Sequence, residues 1–233
     1  MNDIVYFCKE AENNEELVYS IRSVVENFPH RKIWVYGGCP ANMQFENHVK
    51  VSQLGNSKWE RVTRMLRRAA SNKDITEDFW LFNDDFFVMK KPNKLVPYYD
   101  GDLYKRIVHV EDRHNNRVSA YSAALRKMVK ELEKRNLSTL NYAVHIPMLV
   151  NREKVLEVLN EFSDCPMFRA LYGNYCGIGG DCKGDVKVYS ETVEPVDKDS
   201  VFLSTDDKAW RRDTIGVTSH IKQTFPNKSP YEK

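Results

Sequence analysis

Ile4, Val5, Tyr6 and Phe7 form one unbroken apolar run between Asp3 and Cys8, and the run predicts a buried strand. After a polar turn over Lys9 to Asn14, residues Leu17, Ile21, Val24 and Val25 fall at helical spacing on one stripe. Asn13 or Asn14 is placed to cap that helix, and Phe28-Pro29 to end it. Lys32 to Tyr36 predicts a second strand, closed by Gly37-Gly38-Cys39-Pro40, and Val49 to Gln53 a third. Ser57 opens a helix over Lys58 to Ala70. Phe79 to Phe82 predicts a fourth strand that runs into Asn83-Asp84-Asp85. Strands alternating with helices through short connections predict an α/β fold, a mostly parallel sheet with helices on its faces.

Beyond residue 90 the pattern loosens. Pro92, Pro97, Tyr98, Tyr99 and Gly101 predict a loop or edge hairpin. Arg117 to Arg135 predicts a long amphipathic helix with Tyr121, Leu125, Met128 and Leu132 inward. Asn141 to Ile146 is expected as a short strand, Arg152 to Phe162 as a helix, and Met167 to Tyr172 as a helical turn. Glycines at 173, 177, 179, 180 and 184 predict a loop-rich stretch, followed by strands at Val186 to Tyr189 and Val201 to Ser204. With no repeat and no linker, residues 1–233 read as one domain.

Composition narrows the class. The 42% hydrophobic and 29% charged residues suit a globular chain rather than a disordered one. A net charge of +2 supplies no bulk attraction to nucleic acid. No stretch approaches the about 18 apolar residues of a membrane span. The N-terminus enters the first strand without a basic run or an apolar leader, and the five cysteines match no zinc spacing. The expectation is a cytoplasmic protein with reduced thiols.

The strongest local signal is Trp80-Leu81-Phe82-Asn83-Asp84-Asp85-Phe86-Phe87, an apolar strand that ends in adjacent carboxylates. Ligands of open α/β sheets bind outside the carboxyl ends of the strands. Two acids there repel unless a cation compensates them, and Mg²⁺ or Mn²⁺, which prefers oxygen ligands, would leave positions for phosphate oxygens. The competing reading is an Asn-Asp-Asp turn. Lys58, Arg61, Arg64, Arg67 and Arg68 make the preceding helix basic, either as a solvated face or as an attraction for phosphates. Tyr98, Tyr99 and Tyr104 are open to stacking on a ligand or to packing. Gly177-Ile178-Gly179-Gly180 reads as loop, because the phosphate-loop fingerprint is incomplete.

Asn83-Asp84-Asp85-Phe86-Phe87 resembles the second conserved region of the Stealth family of sugar-phosphate transferases. Asp3-Ile4-Val5-Tyr6 and Leu17 to Ser23 resemble that family's opening strand and helix. Ala143-Val144-His145-Ile146-Pro147 with Phe168-Arg169 is similar to its third region, and Phe202 to Asp207 to its fourth. Phage-encoded proteins labelled glycosyltransferases share this layout, including a tail like Phe225 to Glu232. The resemblance implies a glycosyltransferase-A-like (Rossmann-like) fold, with residues 1–90 as the donor-binding core and 91–233 as an acceptor-side elaboration.

It implies a divalent metal (Mg or Mn) held by Asp84, Asp85 and Asp207. A nucleotide-sugar donor such as a UDP-sugar would meet Asn83, Tyr6, Lys9, Arg22 and Lys58. Asp85, His145 and Arg169 are the implied catalytic residues: His145 as general base or orienting donor for the acceptor hydroxyl, Arg169 as a clamp on phosphate oxygens. Asp206-Asp207 completes the metal shell, binds the sugar, or caps the helix that follows. The implied reaction is glycosyl transfer to an acceptor glycan or modified DNA, or else transfer of sugar-1-phosphate. A non-catalytic module that binds nucleic acid through the basic helix is the third alternative.

Overall fold

The computed structural model describes residues 1–52, 57–113, 115, 117–163 and 167–233. Its centre is a five-stranded sheet in the order β3 (His48–Val49), β2 (Ile33–Gly37), β1 (Asp3–Cys8), β4 (Asp78–Asn83) and β7 (Met148–Asn151). The first four strands run parallel; β7 pairs antiparallel with β4, with Phe79 opposite Val150 and Leu81 opposite Met148. The fold is therefore α/β with a mostly parallel sheet.

The uninterrupted apolar strands have a simple cause, since helices cover both faces of the sheet. Ile4, Tyr6, Val35 and Phe82 pack toward α1 (Glu15–Asn27) in one cluster. Val5, Phe7, Tyr36, Phe79 and Leu81 pack into another with α2 (Lys58–Ala70) and α5 (Arg152–Glu161). Successive side chains thus alternate between the two layers. Asn14 caps α1, its side chain accepting from the Leu17 amide at 3.0 Å, and Ser57 caps α2. Phe28 ends α1 as expected.

A smaller sheet holds β5 (Phe86–Val88), β10 (Phe202–Thr205) and β9 (Lys187–Val188), with β10 in the middle. Phe87, Leu203, Trp210 and Phe225 form its own apolar cluster with α7 (Asp207–Arg212) and α8 (Val217–Thr224). Two buried serines of α1 fasten β5: Ser20 Oγ donates to the Phe86 carbonyl, and Ser23 Oγ accepts from the Val88 amide at 2.9 Å. Tyr98–Tyr99 (β6) and Asp181–Cys182 (β8) form a two-stranded pair, and α3 (Leu103–Asp112) packs on α4 (Ala120–Glu133).

Several sequence expectations shift. Asn141 to Ile146 is not a strand; the strand is Met148–Asn151. Other partners take the earlier segment's backbone: the amide and carbonyl of Asn141 bond the Gly101 carbonyl and the Asp100 amide, and Asp185 accepts from the His145 amide. The third strand is only His48–Val49, with Gln53 outside the described residues. Met167 to Tyr172 extends into a full helix, α6 (Phe168–Tyr175). Elements α3, α8 and β5 go beyond the sequence reading, and α7 is the helix that the capping alternative for Asp206-Asp207 expects. Among the described residues, no helix is long and apolar enough to cross a membrane.

The tail is clasped onto α1. Arg22 donates to both carboxylate oxygens of Glu232, at 2.9 and 2.7 Å, and to the carbonyls of Phe225 and Pro226. Tyr231 stacks on Phe45 with ring centroids 5.1 Å apart. Glu232, further held by the amide and hydroxyl of Ser229, stays ionised down to about pH 2; its bonds to Arg22 and Ser229 overcome the cost of burial.

Candidate active site

At Asn83 the chain leaves the central sheet, and at Phe86 it enters the small one. Asp84 and Asp85 occupy the corner between them. They face a cavity of about 1140 Å³, which also meets Asn83, Lys9, Lys58, His145, Arg169 and Asp207. Eight of the sequence-selected residues therefore share one cleft at the carboxyl ends of β1 and β4.

Each acid is held differently. Asp84 accepts from Asn14 Nδ2 at 2.7 Å, so the residue that caps α1 with its oxygen grips the site with its nitrogen. Burial, with the charge of Asp85 beside it, pushes the Asp84 carboxyl up to about 6. Asp85 accepts from Lys187 Nζ at 2.6 Å and from Ser204 Oγ at 3.4 Å. Burial would raise Asp85, but the charges of Lys187 and His145 hold it below the usual carboxylate range. Its other oxygen, Oδ1, is buried without a hydrogen-bond partner among the described residues.

Glu16 is a third acid at this corner. It accepts from Thr205 Oγ1 at 2.6 Å, and burial next to Asp85, Asp84 and Asp207 raises it to about 7. A carboxyl with a folded pKa above its ordinary 4.5 favours the native state when protonated. That contribution is complete below pH 4.5 and is lost as pH rises through about 7. Glu16→Gln keeps an oxygen for Thr205 and removes the titration. Its urea midpoint is expected to exceed the parent's at pH 8 and to match it at pH 4; an offset equal at both pH values would refute the assignment.

His145 lines the same cleft, its ring packed T-shaped against that of Phe86 at 6.1 Å between centroids. Asp185 accepts from the His145 amide at 2.9 Å and pairs with Nδ1 at 2.6 Å. Arg169 donates to the carbonyls of Ile146 at 2.7 Å and Leu81 at 3.0 Å, and its guanidinium lies 5.0 Å from the centre of the Phe86 ring. Burial lowers Arg169 to about 10, so it keeps its charge at neutral pH. Two of its donors are spent on the scaffold.

Asp206 caps α7, accepting from the Ala209 amide at 2.6 Å, so the capping reading holds for it. Asp207 faces the cleft and pairs with Lys9 at 3.2 Å. Two selected residues lie elsewhere. Tyr6 is fully buried with its hydroxyl against Ser20, because strand alternation turns it toward α1 while Phe7 faces the cleft. Arg22 is consumed by the tail clasp.

Arg61 of the basic helix lines the cleft, whereas Arg67 is tied to Asn160 and the Leu159 carbonyl. Tyr98 and Tyr99 form β6, and Tyr104 bonds Glu133; the tyrosines lining the cleft are Tyr121 and Tyr189. The sequence reading passed over Glu16, Asp185 and Lys187. Its only signal for the last two was the alternation in Asp185-Val186-Lys187-Val188-Tyr189, whose polar face looks inward rather than to solvent.

No three His, Cys, Asp or Glu side chains converge as a metal shell among the described residues; Cys165 lies outside them. A magnesium-type site asks less. Such an ion is held by one or two carboxylates and completes its shell with water and phosphate oxygens. Adjacent Asp84 and Asp85, with Oδ1 of Asp85 unpartnered, fit that requirement.

No protein-family model and no curated protein matches the chain. Solved structures do. An active-site mutant of LgtC aligns with a TM-score of 0.51 at 14% identity, covering 98% of each chain. LgtC described as a galactosyltransferase in complex with donor and acceptor sugar analogues aligns with a TM-score of 0.47 at 12% identity, again covering 98% of each chain. The first of these shows that the chain shares the glycosyltransferase-A-like fold over nearly its whole length.

Proposed function

We propose that the chain is a metal-dependent glycosyltransferase that moves a sugar from a nucleotide-sugar donor, such as a UDP-sugar, to an acceptor hydroxyl. The observation that carries this reading is the presence in one cleft of an acid corner, Asp84 and Asp85, and an imidazole, His145, backed by a carboxylate. The fold shared with LgtC supports it. Residues 1–90 supply most of the donor side and 91–233 most of the acceptor side.

Asp84 and Asp85 hold Mg²⁺ or Mn²⁺, which when bound offsets the negative charge of the donor diphosphate. Lys9 and Lys58 line the same cleft and add positive charge toward the phosphates; Asn83 orients the donor, and Asp207 positions Lys9. Arg169 contributes fixed positive charge from beneath. His145 takes the proton of the acceptor hydroxyl as its oxygen bonds to the anomeric carbon and the bond from that carbon to the diphosphate breaks. The donor roles expected of Tyr6 and Arg22 have no part in this reading, since neither reaches the cleft.

A Stealth-type outcome uses the same cleft with attack on phosphorus, supported by Arg169 beside the acid corner. The released nucleotide separates the two, a diphosphate for sugar transfer and a monophosphate for sugar-phosphate transfer. The acceptor classes that suit the basic row Arg61, Arg64 and Arg68 are a phage-modified DNA or a charged surface glycan, met in the host cytoplasm. The decisive test is thermal melting with UDP-sugars and Mn²⁺. At about a hundred times Kd the ligand adds about 2.7 kcal/mol, a rise of several degrees for a chain of this size. Melting that responds to nucleic acid alone, and to no nucleotide sugar, would replace the enzyme by a binding module.

A further inference from the structure

We propose that Asp185 is the positioning residue for His145, fixing its imidazole as the Nδ1–H tautomer with the Nε2 lone pair open for proton transfer. The inference rests on the reading of His145 as the base. Asp185 is not among the residues that line the cleft, and both its oxygens bond His145, so the role argued for it runs through the histidine.

Its two oxygens have divided tasks. Oδ1 accepts from the backbone amide of His145 at 2.9 Å and fixes where that residue sits in its strandless segment. Oδ2 lies 2.6 Å from Nδ1 and fixes the ring. An ionised carboxylate only accepts hydrogen bonds, and a neutral imidazole carries one N–H. The proton is therefore drawn to Nδ1, leaving Nε2 as the acceptor. Phe86 packs against the ring at an interplanar angle of 83°, and a flip within that packing would forfeit the bond to the carboxylate.

Asp185 also has a partner in geometry. Two residues later Lys187 bonds Asp85 at 2.6 Å, and Lys187 is registered against Ser204 in β10, itself opposite Phe86 of β5. One short segment thus reaches the base with its acid and the acid corner with its base. The pairing of β9 with β10 sets the span between the two halves of the chemistry.

The test is Asp185→Asn, with Asp185→Ala as companion. Asparagine keeps an oxygen for the backbone amide and turns its own N–H toward Nδ1, which drives the ring proton to Nε2. The ¹⁵N chemical shifts of His145 in the full chain read this directly. The expected result is a pyrrole-like Nδ1 in the parent that becomes pyridine-like in Asp185→Asn. Transfer kcat should then fall about 10²–10⁴-fold, the range of general-base assistance, with donor KM unchanged. Asp185→Ala should show mixed tautomers and a similar loss of kcat. An unchanged ¹⁵N pattern in Asp185→Asn would overturn the proposal whatever the activity, as would a switched pattern with full kcat. A parent that switches its tautomer on mutation yet transfers no sugar would keep the coupling and remove the transferase reading beneath it.

Discussion

Asp85→Asn is expected to reduce sugar transfer by roughly 10²–10³-fold or more, the scale of losing a preorganised charge at the reacting centre. Asp85 is the only described acid that combines a bond to a buried ammonium with a buried oxygen lacking any partner. The substitution removes the charge that any divalent ion or donor phosphate geometry depends on. It also leaves Lys187, whose side chain is 12% exposed, without its counter-charge. Breaking a buried pair by removing one partner costs up to about 3–5 kcal/mol, within the stability of an ordinary domain. A second variant separates chemistry from folding. Asp85→Asn combined with Lys187→Met should recover the urea midpoint and leave transfer abolished. Steady-state assays and urea titrations on both variants check this; near-parental turnover in either would end the assignment of Asp85.

His145→Ala should lower kcat about 10²–10⁴-fold while donor affinity, measured by calorimetry with Mn²⁺, stays near the parental value. The reason is the proposed division of roles: Lys9, Lys58 and the acid corner take the donor, and His145, backed by Asp185, takes the acceptor proton. Loss of kcat alone is the pattern of an interaction made in the transition state. A rise in donor KM with kcat intact would mean that the imidazole only helps to bind the donor, and the base would have to be sought elsewhere.

The parts of the fold legible in the sequence were those dictated by local pattern. The strands Asp3–Cys8, Ile33–Gly37 and Asp78–Asn83 are buried on both faces and read as apolar runs, and the helices between them show their stripes and caps. The antiparallel strand β7 escaped because two apolar runs competed. The run at 141–146 lost through bonds of Asn141 to Asp100 and Gly101 and of His145 to Asp185, which lies 40 residues away. Helix α3 escaped because only Leu103, Ile107 and Val110 mark its buried face.

The site divides the same way. An acid pair at the end of an apolar strand, and a histidine before a proline, are short-range patterns. Lys187 and Asp185 acquire meaning only when β9 is laid beside β10, a register that no local spacing reveals. Tyr6 was misplaced by a single step of strand parity, and Arg22 by a partner 210 residues away.

That last partner has a temporal consequence. Arg22 lies on the helix whose first turn presents Asn14 and Glu16 to the acid corner, and its carboxylate partner lies 210 residues further along the chain. Contacts across such a span form late, after the loop-closure entropy of everything between them has been met. During folding the helix therefore stays unlatched until Glu232 has docked. The corner's support should therefore be completed late in folding, not gradually as the strands assemble.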